Sequence, residues 1–467
     1  MNKIALTSAL LTSAACCIGA ESPKENPNII LINIDDLGWT DFSYMGSKYY
    51  ETPHIDQLFE HSIYFSNAYS GGSNSAPSRA CLMTGQYTPR HGIFTVNNSD
   101  RGKSSLRKLI PIPNKTSLPD GHQTLSRILK NNGYTTFHVG KWHITGNPLD
   151  CGFDVNVGGN HAGHPKSYFS PYKNADLPNG KDGEFLTERL AKEAVTLIEG
   201  ASKDKPFFLY YAPYAVHPPL QAKAELIKKY EAKTGDKQHN HPVFAAMIES
   251  MDKSVGQILE TVRKKGIEEN TLIIFTNDNG GIYNLSKQWP LRAGKGSFYE
   301  GGIRVPILVY QKGRFDKKQE ISTPVMQMDI APTLLEMLDV KTDQYLLDGK
   351  SLCKLLKNGK DKKLEERSIY WHFPGYLENG IAESTDPLFR SRPVSVIRKG
   401  NWKLIENYET GKFELYNLKD DVSEKTNLVE ANPKKVAELK KELYKWKENV
   451  KAPIPTELNP EYTGDLR

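Results

Sequence analysis

The chain has 467 residues, 38% apolar and 25% charged, with a net charge of +6 from 61 Lys and Arg against 55 Asp and Glu. That length exceeds what one hydrophobic core usually supports, and the composition excludes a disordered or fibrous chain. The basic residues are scattered instead of forming a stripe with interleaved aromatics, which excludes a surface that tracks nucleic acid.

Residues 1–20 have the character of a signal peptide, with Lys3 ahead of a largely apolar, small-residue run from Ile4 to Cys17 and Ala20 before Glu21. An exported protein is expected, periplasmic or at the cell surface. Cys16 and Cys17 follow Ser13-Ala14-Ala15, so a lipid anchor stays open as another end to the leader. No later apolar run is long enough for a transmembrane span.

The body begins with Asn28 to Ile34, an almost unbroken β-branched and aliphatic run of the kind that forms a strand buried on both faces. Similar runs recur at Thr135–Val139, Phe207–Tyr211, Leu272–Phe275 and Val305–Tyr310. Helical spacing falls between or after them at Glu184–Ile198, at Val243, Met247, Met251, Val255 and Val262 with Gly266 as the stop, and at Ile330–Leu338. The alternation predicts an α/β fold with a large, mostly parallel central sheet in a domain spanning residues 21–340. Over residues 341–467 the short strands Ser368–His372, Pro393–Arg398 and Trp402–Ile405 and a final helix at Pro433–Trp446 predict a smaller α+β domain. Cys81, Cys151 and Cys353 are far apart, which excludes cysteine-rich zinc and a dense disulfide framework and leaves free thiols or a single bridge.

Ligands of open α/β sheets bind beyond the carboxyl ends of the strands. Asp35-Asp36 follow the first run, and two adjacent carboxylates repel unless a cation or solvent separates them. Asn277-Asp278-Asn279-Gly280-Gly281 follow another run and add hard oxygen donors of the type Ca²⁺ and Mg²⁺ prefer. Ser73-Asn74-Ser75-Ala76-Pro77-Ser78-Arg79, ahead of Leu82-Met83-Thr84-Gly85, reads as a loop with a hydroxyl nucleophile, a rigidifying proline and an arginine.

The Ser75-x-Pro77-Ser78-Arg79 and Leu82-x-Thr84-Gly85 pair resembles the signature of the sulfatase family, in which the leading Cys or Ser is oxidised to formylglycine. The resemblance continues through Asp35-Asp36-Leu37-Gly38-Trp39, Gly140-Lys141-Trp142-His143, His217-Pro218, Asp278-Asn279-Gly280 and the run from Gly294 to Pro306. Taken singly, His143, His217 and Lys295 read equally well as a buried structural histidine, a turn cap and a solvated lysine; their joint order carries the resemblance. It implies an alkaline-phosphatase-like sandwich with a smaller C-terminal domain, and hydrolysis of a sulfate ester. It also implies one Ca²⁺ held by Asp35, Asp36, Asp278 and Asn279, with the modified Ser75 completing the shell. A hydrated aldehyde at residue 75 would offer one hydroxyl as nucleophile and a second whose deprotonation expels sulfate. By the same resemblance His143 is the base, His217 the general acid, Arg79 orients residue 75, and Lys141 and Lys295 hold sulfate oxygens.

Serine at residue 75, where cysteine is commoner, implies a formylglycine-generating maturase that accepts serine. Left unmodified, Ser75 would make this a noncatalytic glycan-binding protein. A phosphatase or phosphodiesterase of the same superfamily is the enzymatic alternative, distinguished by a second metal. The segment Phe153–Phe169 is similar to glycan-degrading bacterial sulfatases and points to a sulfated carbohydrate, with galactose or N-acetylgalactosamine the expected sugar. His161, His164, Trp289, His372 and Arg392 are candidates for lining a sugar subsite.

Overall fold

The first aliphatic run folds as strand β1 (Asn28–Ile34), buried along its whole length. It lies in a sheet with β2 (Ile63–Tyr69), β3 (Thr135–Gly140), β4 (Val155–Val157), β5 (Phe207–Ala212), β6 (Thr271–Asn277), β7 (Arg304–Tyr310), β8 (Gln319–Ile321) and β9 (Val325–Met326). A computed structural model describes residues 26–384 and 386–464, so the leader with Cys16 and Cys17 lies outside the described residues. The spatial order is β4-β3-β5-β1-β6-β7-β2-β8, with β9 also pairing with β2. The pairs from β4 to β6 are parallel.

Side-chain alternation in β1 explains the layers. Ile30, Ile32 and Ile34 pack on one face with the helices Leu186–Gly200 and Pro242–Lys264, while Ile29 and Leu31 pack on the other with Ser75–Thr84 and Ile330–Met337. Each such side chain contributes about 1.5–3 kcal/mol by leaving water. The mostly parallel α/β sheet expected from the sequence is therefore present.

One strand differs from expectation. Val305–Tyr310 was expected to continue the parallel alternation, but β7 runs antiparallel to both β6 and β2. No crossover helix separates it from its neighbour: the chain goes from β6 through loops and one short turn of helix, Glu300–Ile303, straight into β7. A strand reached without a crossover enters a sheet reversed.

The C-terminal domain holds an antiparallel sheet of β10 (Ser368–Phe373), β13 (Val394–Lys399), β14 (Trp402–Asn407) and β15 (Phe413–Asn417), in that order. A hairpin of β11 (Leu377–Glu378) and β12 (Phe389–Ser391) leaves it towards the larger sheet, and the helix Pro433–Asn449 packs against it. A buried ion cluster joins this domain to the segment before β7: Lys403 Nζ of β14 meets Glu300 Oε1 at 3.0 Å and Glu424 Oε1 at 2.7 Å, all fully buried. Tyr69 Oη donates to the other oxygen of Glu300 at 2.6 Å. Cys81, Cys151 and Cys353 are free thiols; Cys353 is only half-buried.

Candidate active site

Four parallel strands deliver their following residues to one edge of the sheet. Beyond β1 come Asp35 and Asp36, beyond β3 Lys141 and His143, beyond β5 His217, and beyond β6 Asp278 and Asn279. Register sets the carboxylates side by side, because Ile34 faces Asn277 and the Asp278 N–H donates to Ile34 O at 2.9 Å. Since β7 is reversed, the residues before it, including Lys295, reach this edge.

Residues 73–79, expected as a loop, are loop only as far as Asn74. Ser75–Thr84 is a helix, with Asn74 extended at its start and Gly85 left-handed at its end, φ 68°. Pro77 is compatible because first-turn N–H groups have no intrahelical acceptor. The whole helix is buried, and the partial positive charge of its N-terminus falls at Ser75.

Ser75 Oγ donates to Asp35 Oδ1 at 3.2 Å and to Asn279 Oδ1 at 3.4 Å, and accepts from Lys141 Nζ at 3.0 Å. Each carboxylate has its own cation: Lys141 Nζ lies 2.7 Å from Asp35 Oδ2, Lys295 Nζ 2.6 Å from Asp36 Oδ1, and Arg79 Nε 3.0 Å from Asp278 Oδ2. Arg79 also donates to Lys141 O at 3.0 Å, which fixes the turn after β3. Asp36 and His143 both hold left-handed backbone, φ 57° and 64°. Such strain costs on the order of 1 kcal/mol per residue and concentrates where side chains are aimed at a site.

Carboxylate oxygens from Asp35, Asp36 and Asp278 lie within 4.8 Å of one another, all buried, with the Asn279 amide oxygen beside Ser75. That all-oxygen donor set fits a hard divalent cation. Burial raises Asp35 well above the usual carboxylate range against Lys141. For Asp36 burial is overcome by Lys295, and for Asp278 by Arg79 and Lys141, so both stay low. Burial, with Lys141 adding, drives His143 well below the usual imidazole value, and burial with Lys295 brings His217 to about 3 despite Asp36. Both imidazoles are therefore neutral at pH 7.

Ser75, His143, His217 and Lys295 line a cleft of about 400 Å³. Gly163 packs flat on the His143 ring; a Cβ there would stand 2.4 Å from Cε1.

The sequence matches the sulfatase family over residues 27–340, and the C-terminal region of N-sulphoglucosamine sulphohydrolase over residues 294–451. The chain belongs to the sulfatase family. By that membership it is a sulfuric ester hydrolase. It is 32% identical to a sulfatase of Formosa agariphila, across 88% of this chain and 86% of that protein. It is 30% identical to N-acetylgalactosamine-6-sulfatase of Homo sapiens, across 76% of this chain and 70% of the relative. Among solved structures it is similar to Ps i-CgsB in complex with k-i-k-neocarrahexaose, with a TM-score of 0.75, 30% identity and coverage of 95% and 96%.

Of the expected subsite residues in this sulfatase, His161 and His164 line the cleft, their rings 6.2 Å from His143 and 5.9 Å from His217. The other three do not. Trp289 is exposed outside the cleft wall, and His372 is buried between Ser395 Oγ and Pro453 O, each at 2.8 Å. Arg392 is bound by Asp386 and Glu409 and lines the adjoining cleft of about 810 Å³ instead. Sequence order alone cannot say which side of a fold a residue faces. Conversely, Arg101, Glu378 and Arg390 line the cleft and carry no local motif; Glu378 and Arg390 come from the hairpin of the C-terminal domain.

Proposed function

We propose that this sulfatase hydrolyses a sulfate ester on a saccharide, a galactose or N-acetylgalactosamine unit, with formylglycine at residue 75 and one Ca²⁺ held by Asp35, Asp36, Asp278 and Asn279. The observation that carries the reading is Ser75 Oγ, held between Lys141 Nζ at 3.0 Å and Asp35 Oδ1 at 3.2 Å at the wall of the cleft. The sugar class is supported by the N-acetylgalactosamine-6-sulfatase relative and by the oligosaccharide bound to the solved relative. Residues 1–20 support export to the periplasm or cell surface.

Ca²⁺ held by Asp35, Asp36, Asp278 and Asn279 would supply polarisation of a sulfate oxygen, and a hydrated aldehyde at residue 75 would supply a nucleophilic hydroxyl and a second hydroxyl whose deprotonation expels sulfate. The chain's own residues do the rest. Lys141 and the helix N-terminus stabilise negative charge on the oxygen of residue 75. Arg79, pinned by Asp278 and Lys141 O, keeps the helix and the β3 turn in fixed relation. Neutral His143 is ready to accept a proton from residue 75. His217 is neutral in the empty cleft, and a sulfate ester bound beside it adds the negative charge that favours the imidazolium, so substrate arms the acid that protonates the departing sugar oxygen. Lys295 offsets charge growing on the sulfate oxygens.

Mass spectrometry of the Ser75–Arg79 peptide from an anaerobic bacterial host should show loss of two hydrogens at residue 75. An unmodified serine in a host that matures other serine-type sulfatases would favour the noncatalytic glycan-binding protein. Two metals per chain, or faster turnover of a matched phosphate ester, would favour the phosphatase.

A further inference from the structure

Two cations that line the cleft, Arg101 and Arg390, take no part in the hydrolysis above. Lys295 is neutralised by Asp36, and Arg101 by Glu378, whose carboxylate receives the Arg101 Nε–H at 3.0 and 2.9 Å. Arg390 differs. Among the described residues no carboxylate comes within ion-pair distance of it, and its hydrogen bond runs from Nε to Asn379 O at 3.1 Å, leaving both amino groups without a protein partner.

Its position is built, not incidental. The aliphatic stem lies on Gly296, where a Cβ would stand 2.9 Å from Arg390 Cδ, and Gly296 itself is left-handed at φ 91°. Gly296 follows Lys295, so the guanidinium from the C-terminal domain rests against the loop that delivers a lysine to the reaction centre. Burial lowers its pKa from the usual guanidinium value, with Arg101 adding and Glu378 opposing, and a bound anion would reverse that. A half-buried guanidinium with two free amino groups has the fork geometry for a planar or tetrahedral oxyanion. Arg390 is also shared with a second cleft of about 810 Å³, lined by Arg392, Lys412 and Lys425 and by Asp386, Glu409 and Glu414. A saccharide longer than one unit would thus meet further charged side chains beyond Arg390, with cations in excess over carboxylates.

We propose that Arg390 binds a second anionic group of the saccharide, a sulfate or a carboxylate other than the ester being cleaved, so that the enzyme selects polyanionic saccharides. This rests on the sulfatase reading above and deepens it. Arg390 acts in specificity; the bond-breaking groups remain those around Ser75.

The test uses three saccharides with the same scissile sulfate: one with no other charge, one with a second sulfate, one with a uronate carboxylate. The wild type should prefer a doubly charged substrate by at least about tenfold in kcat/KM, the effect of one charge-assisted hydrogen-bonded contact. Arg390→Gln should shrink that preference to below about threefold, mostly through KM, and Arg390→Lys should restore part of it, which also excludes misfolding. Whichever substrate carries the preference identifies the anion. Calorimetric titration of Ser75→Ala protein, with and without Arg390→Gln, decides the matter without turnover. About tenfold weaker binding confined to the doubly charged saccharides supports the proposal. Equal losses on all three saccharides, or a preference that survives Arg390→Gln, overturns it. A binding difference in a protein that turns over none of them would sink the hydrolytic reading and leave Arg390 as an anion reader.

Discussion

Two buried groups of charges sit at either end of the short segment from Lys295 to Glu300. At one end Asp35, Asp36 and Asp278 are matched by Arg79, Lys141 and Lys295; at the other Glu300 and Glu424 close around Lys403. Desolvation opposes both, by several kcal/mol per ion before pairing. They differ in arrangement. In the second, an ammonium stands between the carboxylates and no cleft reaches it. In the first, the carboxylate oxygens converge on one another, the cations stand around them, and their partners Ser75 and Lys295 line the cleft. A cation at the middle makes a clamp between domains, while carboxylates at the middle leave a place for a cation to be bound.

Four experiments break or sharpen that contrast. The largest effect belongs to the first cluster: Ser75→Ala should lower kcat by about 10⁴-fold or more while thermal unfolding moves little. A comparable Tm loss would mean Ser75 is a packing residue. Next, Lys403→Met should strip the clamp of its ammonium and cost about 3–5 kcal/mol in denaturant unfolding, with kcat of the folded fraction within a few-fold of wild type. Were activity lost and stability kept, the clamp would belong to the catalytic group.

Chelation follows. Removing divalent cations should abolish turnover and lower stability by about 2–3 kcal/mol, both restored by Ca²⁺ at about 100 times its Kd. Lys403→Met protein should show the same Ca²⁺ increment, since its lesion lies elsewhere. The smallest effect is in pH. Burial, opposed by Lys403 and aided by Glu300, pushes Glu424 up to about 7 from the usual 4.5. The folded value is the higher one, so the folded state binds this proton more tightly. Its contribution is complete below about pH 4 and is lost as pH rises through 7. Glu424→Gln should therefore flatten the fall in stability between pH 5 and 8 by about 2 kcal/mol, measured by urea unfolding at several pH values. An unchanged slope would place the titrating group elsewhere.

The contrast also explains what the sequence made legible. Asp35, Asp36, Asp278 and Asn279 follow strands whose aliphatic runs are unmistakable, and strand ends in such a sheet are where sites form. Lys403 sits in a short antiparallel strand and Glu424 in a loop, where one charged residue among many gives no sign that it is buried; Glu300 lies within the Gly294–Pro306 run, which gives no hint of its distant partners. The direction of β7 is not legible in its residues, because an aliphatic run specifies a strand and not its polarity; polarity depends on whether a crossover precedes it. β2 (Ile63–Tyr69) escaped notice because Ser66 and Asn67 interrupt its apolar run. Ser75 read as a loop because Pro77 suggests a break, although proline in a first turn is compatible with a helix. Arg390 had no signal at all: its role depends on a hairpin folding back across the chain onto Gly296.

The buried helix that begins at Ser75 finally constrains time as well as space. Residue 75 is 1% exposed where it meets the cleft, every residue of its helix is buried, and the loop before it is packed so closely that a Cβ on Gly71 would fall 2.3 Å from Cys81 Cβ. A second protein that acts on this side chain has to reach it, and the folded chain holds it in a buried helix. Any such modification must therefore come before the sheet closes over the helix, so a molecule that folds first is committed to remaining a serine protein for as long as it stays folded.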